Sequence, residues 1–299
     1  MKNIAKLVED TSPDDIKIAL AERSVRKYLE RVIIDSSPEP RQFGEIADKW
    51  QWEKIFDPII PAVEYLEGIR SSYDGPHSFW RTMPRGHDKT SSIARLCNHA
   101  VSFSRRYLRI SVAARDRRQA RQLRDAMMAE KRLNPWFGNR LDIDNYQAKG
   151  PGGELEILSA DAGGAFGGKS DIIVVDELTH WSSEGLWVAL VTETIKRPGM
   201  VIVVITNAGY FGTWQKSAFD EVCRDPDWDV WEAPGLIASW MTPDKVKTVA
   251  NIILSSTGSM QEVTRLLDNA WVLGRAGACF LPESVMAMFT SEAMKPVTV

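Results

Sequence analysis

Lys89 and Thr90 stand where a chain could grip a polyphosphate. The stretch that carries them opens with a β-prone apolar run (Phe79, Trp80, Met83) and turns through Pro84, Arg85, Gly86, His87 and Asp88. It passes Lys89, Thr90 and Ser91 into a helical pattern with Ile93, Leu96, Cys97, Ala100 and Val101 on one face. Strand, tight loop, Lys-Thr and helix is the layout of a phosphate-binding loop. Backbone N–H groups and the helix N-terminus offer partial positive charge, the lysine neutralises β/γ oxygens, and the hydroxyl ligates Mg²⁺. The consensus loop has glycines six residues and one residue before its lysine. This chain has Met83 and Asp88 there, and only Gly86 is glycine.

Two further segments could supply the partners such a loop needs. The apolar run Ile172–Val175 ends in Asp176 and Glu177. That places two carboxylates at the tip of a buried strand, where ionised groups are costly without a task or a partner. In P-loop ATPases the aspartate holds Mg²⁺ and the glutamate orients or deprotonates the attacking water; an acidic strand end facing solvent is the alternative. The next buried run ends Thr206-Asn207-Ala208-Gly209. Its neutral donors and acceptors could sense a γ-phosphate, a plain strand-end turn being the alternative. Jointly, in this order, the three segments indicate an ATP or GTP site.

These residues need elements to hold them. Tyr107–Ala114, Asp171–Asp176 and Met200–Asn207 read as buried strands, alternating with helices over Arg115–Leu133 and Glu184–Lys196. That alternation predicts a doubly wound α/β fold with a mostly parallel sheet, whose ligands bind beyond the carboxyl ends of the strands. Leu141–Asp144 and Glu154–Leu158 alternate in polarity around Gly150–Gly153 and read as a β-hairpin. Upstream, Ser12, Pro13, Asp14 and Asp15 start a helix expected to reach about Ile34, and Ile46–Leu66 reads as a second helical stretch. Beyond Gly235, Thr242-Pro243-Asp244 and the capping box Ser259–Glu262 start helices with no buried β run after them. The expected organisation is an N-terminal helical segment (1–70) packing on a nucleotide-binding core (71–234), followed by a helical lid or linker (235–299).

Composition narrows the classes. The chain has 299 residues, 44% of them hydrophobic and 26% charged, as in an ordinary globular protein. No run approaches the ~18 apolar residues of a membrane span, and the N-terminus lacks a signal-peptide core. Three cysteines lie far apart with no metal spacing, which fits a reducing compartment. A net charge of −3 carries no global nucleic-acid signature. The basic face of the Arg115–Leu133 helix (Arg117, Arg118, Arg121, Arg124, Lys131, Arg132) offers a local one, with a solvated face as the plainer reading.

Pro-Arg-Gly-His-x-Lys-Thr, Ser159–Asp161 before a glycine-rich loop, Val-Val-Asp-Glu-Leu-Thr-His-Trp181 and Thr-Asn-Ala-Gly together resemble the ATPase half of a tailed-phage terminase large subunit. The resemblance runs from about Phe43 to Phe280 and includes Leu267–Val272. It implies an additional-strand P-loop fold and an ATP- and Mg²⁺-dependent motor that packages double-stranded DNA into a prohead. Lys89 would be the loop lysine, Thr90 and Asp176 the Mg²⁺ ligands and Glu177 the catalytic acid. Arg85 would follow γ-phosphate charge, Thr206 and Asn207 would couple hydrolysis to lid movement, and Trp50 and Gln51 resemble the upstream pair that reads adenine. For Arg85 a surface arginine is the alternative, and for Gln51 a helix-surface glutamine. The implied partners are DNA, the portal protein, a small terminase subunit, a nuclease domain in the same or a separate chain, and further copies in a ring. The implied location is the cytoplasm of the infected host, transiently at the portal.

The departures from the pattern carry their own expectations. Asp88 tolerates a left-handed backbone but puts charge beside the phosphates, so weak ATP affinity is expected, with tightening on Asp88→Gly. No trans-acting arginine is evident before the second acidic segment; Lys169 is the candidate substitute, a solvated lysine the plainer reading. Glu283 and Glu292 do not make a two-metal site, so no DNA cleavage is expected of this chain alone. The rival readings are another P-loop translocase or helicase, or a nucleotide-binding docking module that Asp88 keeps from hydrolysis.

Overall fold

The computed structural model describes residues 12–159, 169–197 and 199–274. Alternation along the buried strands explains the layering. In β3 (Ser78–Thr82), Phe79 joins one apolar cluster and Trp80 the other. In β8 (Ile172–Asp176) and β9 (Val201–Thr206), Val174 and Val203 face the first cluster, Val175 and Val204 the second. Successive side chains point to opposite faces of a strand, so runs apolar at every position require cover on both sides. The first face is covered by the helices Lys89–Phe103 and Arg117–Leu133, which contribute Ile93, Leu96, Leu123 and Met127. The second is covered by Gly185–Lys196 and Trp214–Val222, through Trp187, Leu190 and Phe219.

A two-stranded antiparallel ribbon, β1 (Ile33–Ile34) with β2 (Arg41–Gln42), lies outside the main sheet. The main sheet adds β4 (Leu108–Ala114), β5 (Asp142–Ile143), β6 (Gln147–Gly150), β7 (Gly153–Ser159) and β10 (Trp228–Glu232). Its order is β10-β3-β9-β8-β4-β7-β6-β5, with β10 through β7 parallel and the β6 and β5 edge antiparallel. β9 is thus an additional strand between the strand that enters the Lys-Thr loop and the strand that ends in Asp176. Register sets Thr82 opposite Thr206, and Asp176 opposite Ile205. The three segments singled out in the sequence therefore meet at the carboxyl edge of adjacent strands.

Three expectations need correction. The hairpin forms between β6 and β7, not between Leu141–Asp144 and Glu154–Leu158. β5 pairs with β6 instead, and β7 lies between β6 and β4. The first helix does not reach Ile34: it stops at Ala21, and Ser24 caps a new helix, Val25–Leu29, by accepting from Lys27 N–H. A serine side chain competes with the helix for a backbone donor and so starts a helix more readily than it continues one. The helical stretch around Gln51 is also not uniform. Phe43–Ile46 is separate, and Gln51–Phe56 forms a wide π-type turn that runs into the α-helix Asp57–Leu66. Tyr28, Leu29, Phe43 and Phe56 all join the first apolar cluster, which fastens the N-terminal elements beside the Lys89–Phe103 helix.

Candidate nucleotide site

The loop Pro84–Asp88 owes its shape to two residues in the left-handed region, Gly86 (φ 80°) and Asp88 (φ 54°). Aspartate visits that region more readily than most residues, as the sequence reading required. The turn brings Lys89 back under its own loop. Its ammonium, 6% exposed, donates to the carbonyls of Met83 and Pro84 at 3.3 Å each and pairs with Glu177 Oε1 at 3.4 Å. Thr90, one residue on, donates to Asp176 Oδ2 at 3.3 Å. Lysine, hydroxyl and both carboxylates thus form one constellation, although 86 residues separate Thr90 from Asp176.

The two acids sit in different electrostatic settings. Burial, then the charge of Glu177, pushes the Asp176 carboxyl up to about 7. Its Oδ1 is buried with no hydrogen-bond partner among the described residues. Burial pushes Glu177 up as well, but Lys89, His180 and Arg85 outweigh it and hold the carboxyl below its ordinary value. Glu177 itself lies in the left-handed region (φ 52°), a strained place for a glutamate. Strain of that kind, a buried orphan oxygen and a split pair of acids are features of sites that handle charge.

Arg85, Gly86, His87, Asp88, Lys89, Thr90, Ser91, Glu177 and His180 line a cleft of about 340 Å³. Arg85 is exposed there, with its backbone N–H given to Leu266 O at 2.9 Å. His87 is buried at the edge of the cleft. Its Nε2 accepts from Ile237 N–H at 3.1 Å while Nδ1 lies 3.4 Å from Arg85 O. Burial holds its imidazole below the ordinary value, consistent with the neutral ring those bonds require. Pro84 contributes its carbonyl to Lys89, as noted, and Ser91 lines both this cleft and a neighbouring groove.

At the end of β9, Thr206 accepts from Thr179 N–H at 3.2 Å and pairs with its hydroxyl at 2.9 Å. Asn207 Oδ1 faces His180 Nε2 at 3.2 Å. The following segment is held by a residue near the end of the described chain: Asn269 accepts from Ala208 N–H (3.2 Å) and donates to Thr82 O and Ala233 O (3.0 Å each). One side chain thereby joins the ends of β3, β9 and β10. Arg265 adds a bond to Ala208 O at 3.2 Å.

Asp88 has a partner that the sequence reading omitted. Its Oδ2 meets Arg95 Nη1 at 2.7 Å, and Arg95 Nε meets Glu130 Oε1 at 2.8 Å, with Arg95 only 4% exposed. The carboxylate expected to oppose phosphate therefore shares one buried guanidinium with Glu130. Gln51 is 2% exposed, and its amide accepts from Asp48 N–H and lies 3.4 Å from Asp88 Oδ2. It lines a groove of about 890 Å³ next to the cleft, with Asp88, Ser91 and Arg95. Trp50 stacks on Trp231 and packs against His87 and Trp240. Helical spacing could have flagged Arg95, a cation inside the apolar run that follows Lys89; His180 and Asn269 fall inside the motif segments without a role assigned, and nothing local marks Glu130.

Other candidates lie elsewhere. Lys169 precedes β8 at its amino end, the edge opposite Lys89, and its carbonyl accepts from Arg197 at 3.0 Å. On the basic helix, Arg121 and Arg124 bond Tyr146 and Asn145, and Lys131 bonds Leu141 O. Those cations brace the sheet edge. Ala160, Asp161, the glycine-rich loop 163–168, Glu283 and Glu292 lie outside the described residues.

Strand order, the Lys-Thr loop and the acidic couplet beside an additional strand define a P-loop fold. More narrowly, the fold is that of phage large-terminase ATPase domains. The HK97 bacteriophage large terminase superposes with a TM-score of 0.59 at 19% identity, covering 83% of this chain and 54% of that one. The ATPase domain of the Thermus phage P74-26 large terminase matches with a TM-score of 0.52 at 14% identity, covering 70% and 97%. The large terminase of a thermophilic bacteriophage in complex with ADP matches with a TM-score of 0.52 at 10% identity, covering 71% and 53%. The chain thus spans about half the length of the HK97 protein. No protein-family model matches the sequence, and no curated protein matches it.

Proposed function

We propose that this chain is the ATP-hydrolysing motor domain of a viral DNA-packaging terminase, coupling hydrolysis to translocation of double-stranded DNA. One observation carries the reading: Lys89, Thr90, Asp176 and Glu177 converge at adjacent strand ends, with Lys89–Glu177 at 3.4 Å and Thr90–Asp176 at 3.3 Å. The cleft and its adjoining groove, about 340 and 890 Å³, suit a nucleotide in size, since small-molecule sites span roughly 300–1,000 Å³.

Thr90 Oγ1 and the orphaned, buried Asp176 Oδ1 fit a hard cation, which favours oxygen donors. Bound Mg²⁺ would supply charge neutralisation at the transferred phosphoryl group. Lys89 holds cationic charge beneath the loop, and exposed Arg85 adds a second cation at the cleft. Glu177, kept ionised by those cations, can orient and deprotonate a water. In this reading Thr206 and Asn207 carry a change from the turn after Glu177 to β9 and, through Ala208 and Asn269, to the lid, supported by their bonds to Thr179 and His180. Gln51 lines the groove that would take the base, and Trp50 packs against His87 and Trp240 beside it. The portal protein, a small terminase subunit, a nuclease domain and a ring of copies are the partners this reading carries, and the host cytoplasm is its setting.

The test is Mg²⁺-ATP turnover of the wild type against Glu177→Ala. A fall of at least about 10²-fold is expected from removal of a positioned general base; equal rates overturn the reading.

A further inference from the structure

Glu177 leaves one of its oxygens unaccounted for. Oε1 pairs with Lys89, but Oε2 is buried with no hydrogen-bond partner among the described residues. His180 Nε2, 18% exposed and at the end of the 3-10 turn Leu178–His180, lies 3.8 Å from it. That same nitrogen is 3.2 Å from Asn207 Oδ1. The amide is fixed in this orientation because its Nδ2 donates to Ala208 O at 3.1 Å. Asn207 Oδ1 is therefore the acceptor, and His180 carries its proton on Nε2. The turn itself is tied to β9: Thr179 donates to Asn207 O at 3.1 Å and shares hydroxyl contact with Thr206. One N–H thus sits between two acceptors, one satisfied and one unpaired.

We propose that His180 is a positioning residue with two bonding states, its Nε2–H donated to Asn207 Oδ1 while Lys89 pairs with Glu177, and donated instead to Glu177 Oε2 when Lys89 is drawn from Glu177 to phosphate. The inference rests on the ATPase reading above. An unpaired buried carboxylate oxygen costs about 1–3 kcal/mol or more, so loss of the Lys89 pair raises the demand for a second donor. A small rotation of the imidazole meets it. Asn207 Oδ1 then loses its donor, and the release travels along a covalent neighbour: Ala208 is held by Asn269 and Arg265 of the lid. His180 would thus connect the hydrolytic acid to the moving part.

The experiment measures kcat, KM and ADP affinity for the full chain and for His180→Phe, His180→Gln, Asn207→Ala and His180→Phe/Asn207→Ala. It also follows hydrogen exchange of residues 236–269 with and without ADP. Expected is a fall in kcat of about tenfold or more for His180→Phe with KM and ADP affinity within about twofold, a loss confined to the chemical step. Partial recovery is expected in His180→Gln, which keeps an N–H donor. The double variant should be no slower than His180→Phe, and the nucleotide-dependent change in lid exchange should disappear in it. Where His180→Phe lowers the melting temperature, His180→Gln and Asn207→Ala carry the comparison. Wild-type kcat in His180→Phe alongside an inactive Glu177→Ala overturns the hand-over and leaves the ATPase reading standing, as do strictly additive effects in the double variant. Equal turnover of wild type and Glu177→Ala removes both.

Discussion

Arg95→Met should be among the most damaging single substitutions outside the cleft. The guanidinium lies between Asp88 Oδ2 at 2.7 Å and Glu130 Oε1 at 2.8 Å, and its plane rests 4.4 Å from the Phe43 ring centroid. Methionine matches the packing but leaves two carboxylates without their cation. Removing one partner from a buried ionic group costs about 3–5 kcal/mol, because the remaining charge is stranded. Burial already pushes Glu130 up to about 7, against the pull of Arg95, so the carboxyl can relieve part of the cost by taking a proton. A carboxyl raised in the folded state contributes stability that is full below its unfolded value near 4.5 and lost as pH rises through 7. The deficit of Arg95→Met should therefore grow between pH 6 and pH 8. At about 2 °C per kcal/mol for a chain of this size, the melting temperature at pH 8 should fall by roughly 6–10 °C. Thermal unfolding followed by circular dichroism reads this directly. A loss under about 2 °C, or one equal at pH 6 and pH 8, would refute the stranded-charge reasoning.

Three further substitutions probe the neighbouring parts. Asp88→Gly keeps the left-handed backbone and leaves Arg95 with Glu130, so ATP affinity should change by less than about threefold (~0.7 kcal/mol), read by calorimetry, instead of tightening as the isolated sequence suggests. Asp176→Asn should abolish turnover yet raise the ligand-free melting temperature more at pH 8 than at pH 5. Burial and Glu177 raise Asp176 to about 7 from near 3.8, so its folded-state contribution is lost as pH climbs through that value. Asn269→Ala deletes three hydrogen bonds at the ends of β3, β9 and β10 and puts alanine at φ 57°, and should cost roughly 2–4 kcal/mol by denaturant unfolding. Asn269→Gly, which relieves only the backbone, should recover a minor part of that.

The buried strands were legible because β-branched runs bounded by polar turns have few other uses. Phe79–Trp80, Ile172–Val175 and Val201–Ile205 became the three strands that bring Lys89, Asp176 and Thr206 together. β6, Gln147–Gly150, was not legible: it lacks β-branched residues and is a strand because β7 and β5 pair with its backbone. β10, at the opposite edge, interrupts its tryptophans and valine with Asp229 and Glu232 and has too short an apolar run to declare itself. The loop's character was readable from Lys89 and Thr90, but its electrostatics were not. Asp88 looks repulsive until Arg95, 7 positions further on, is folded against it. His180 and Asn269 act through acceptors 27 and 187 residues distant, separations at which sequence spacing carries no geometric information.

Calorimetric titration of ATP with Mg²⁺ into the hydrolysis-impaired Glu177→Gln chain, beside the same chain carrying Lys89→Ala, tests most directly whether these distant segments form one nucleotide site. Saturable 1:1 binding in the first and its loss in the second are expected, since Lys89 is the cation around which loop and couplet close. Equal binding with and without Lys89, or none in either, would contradict the site.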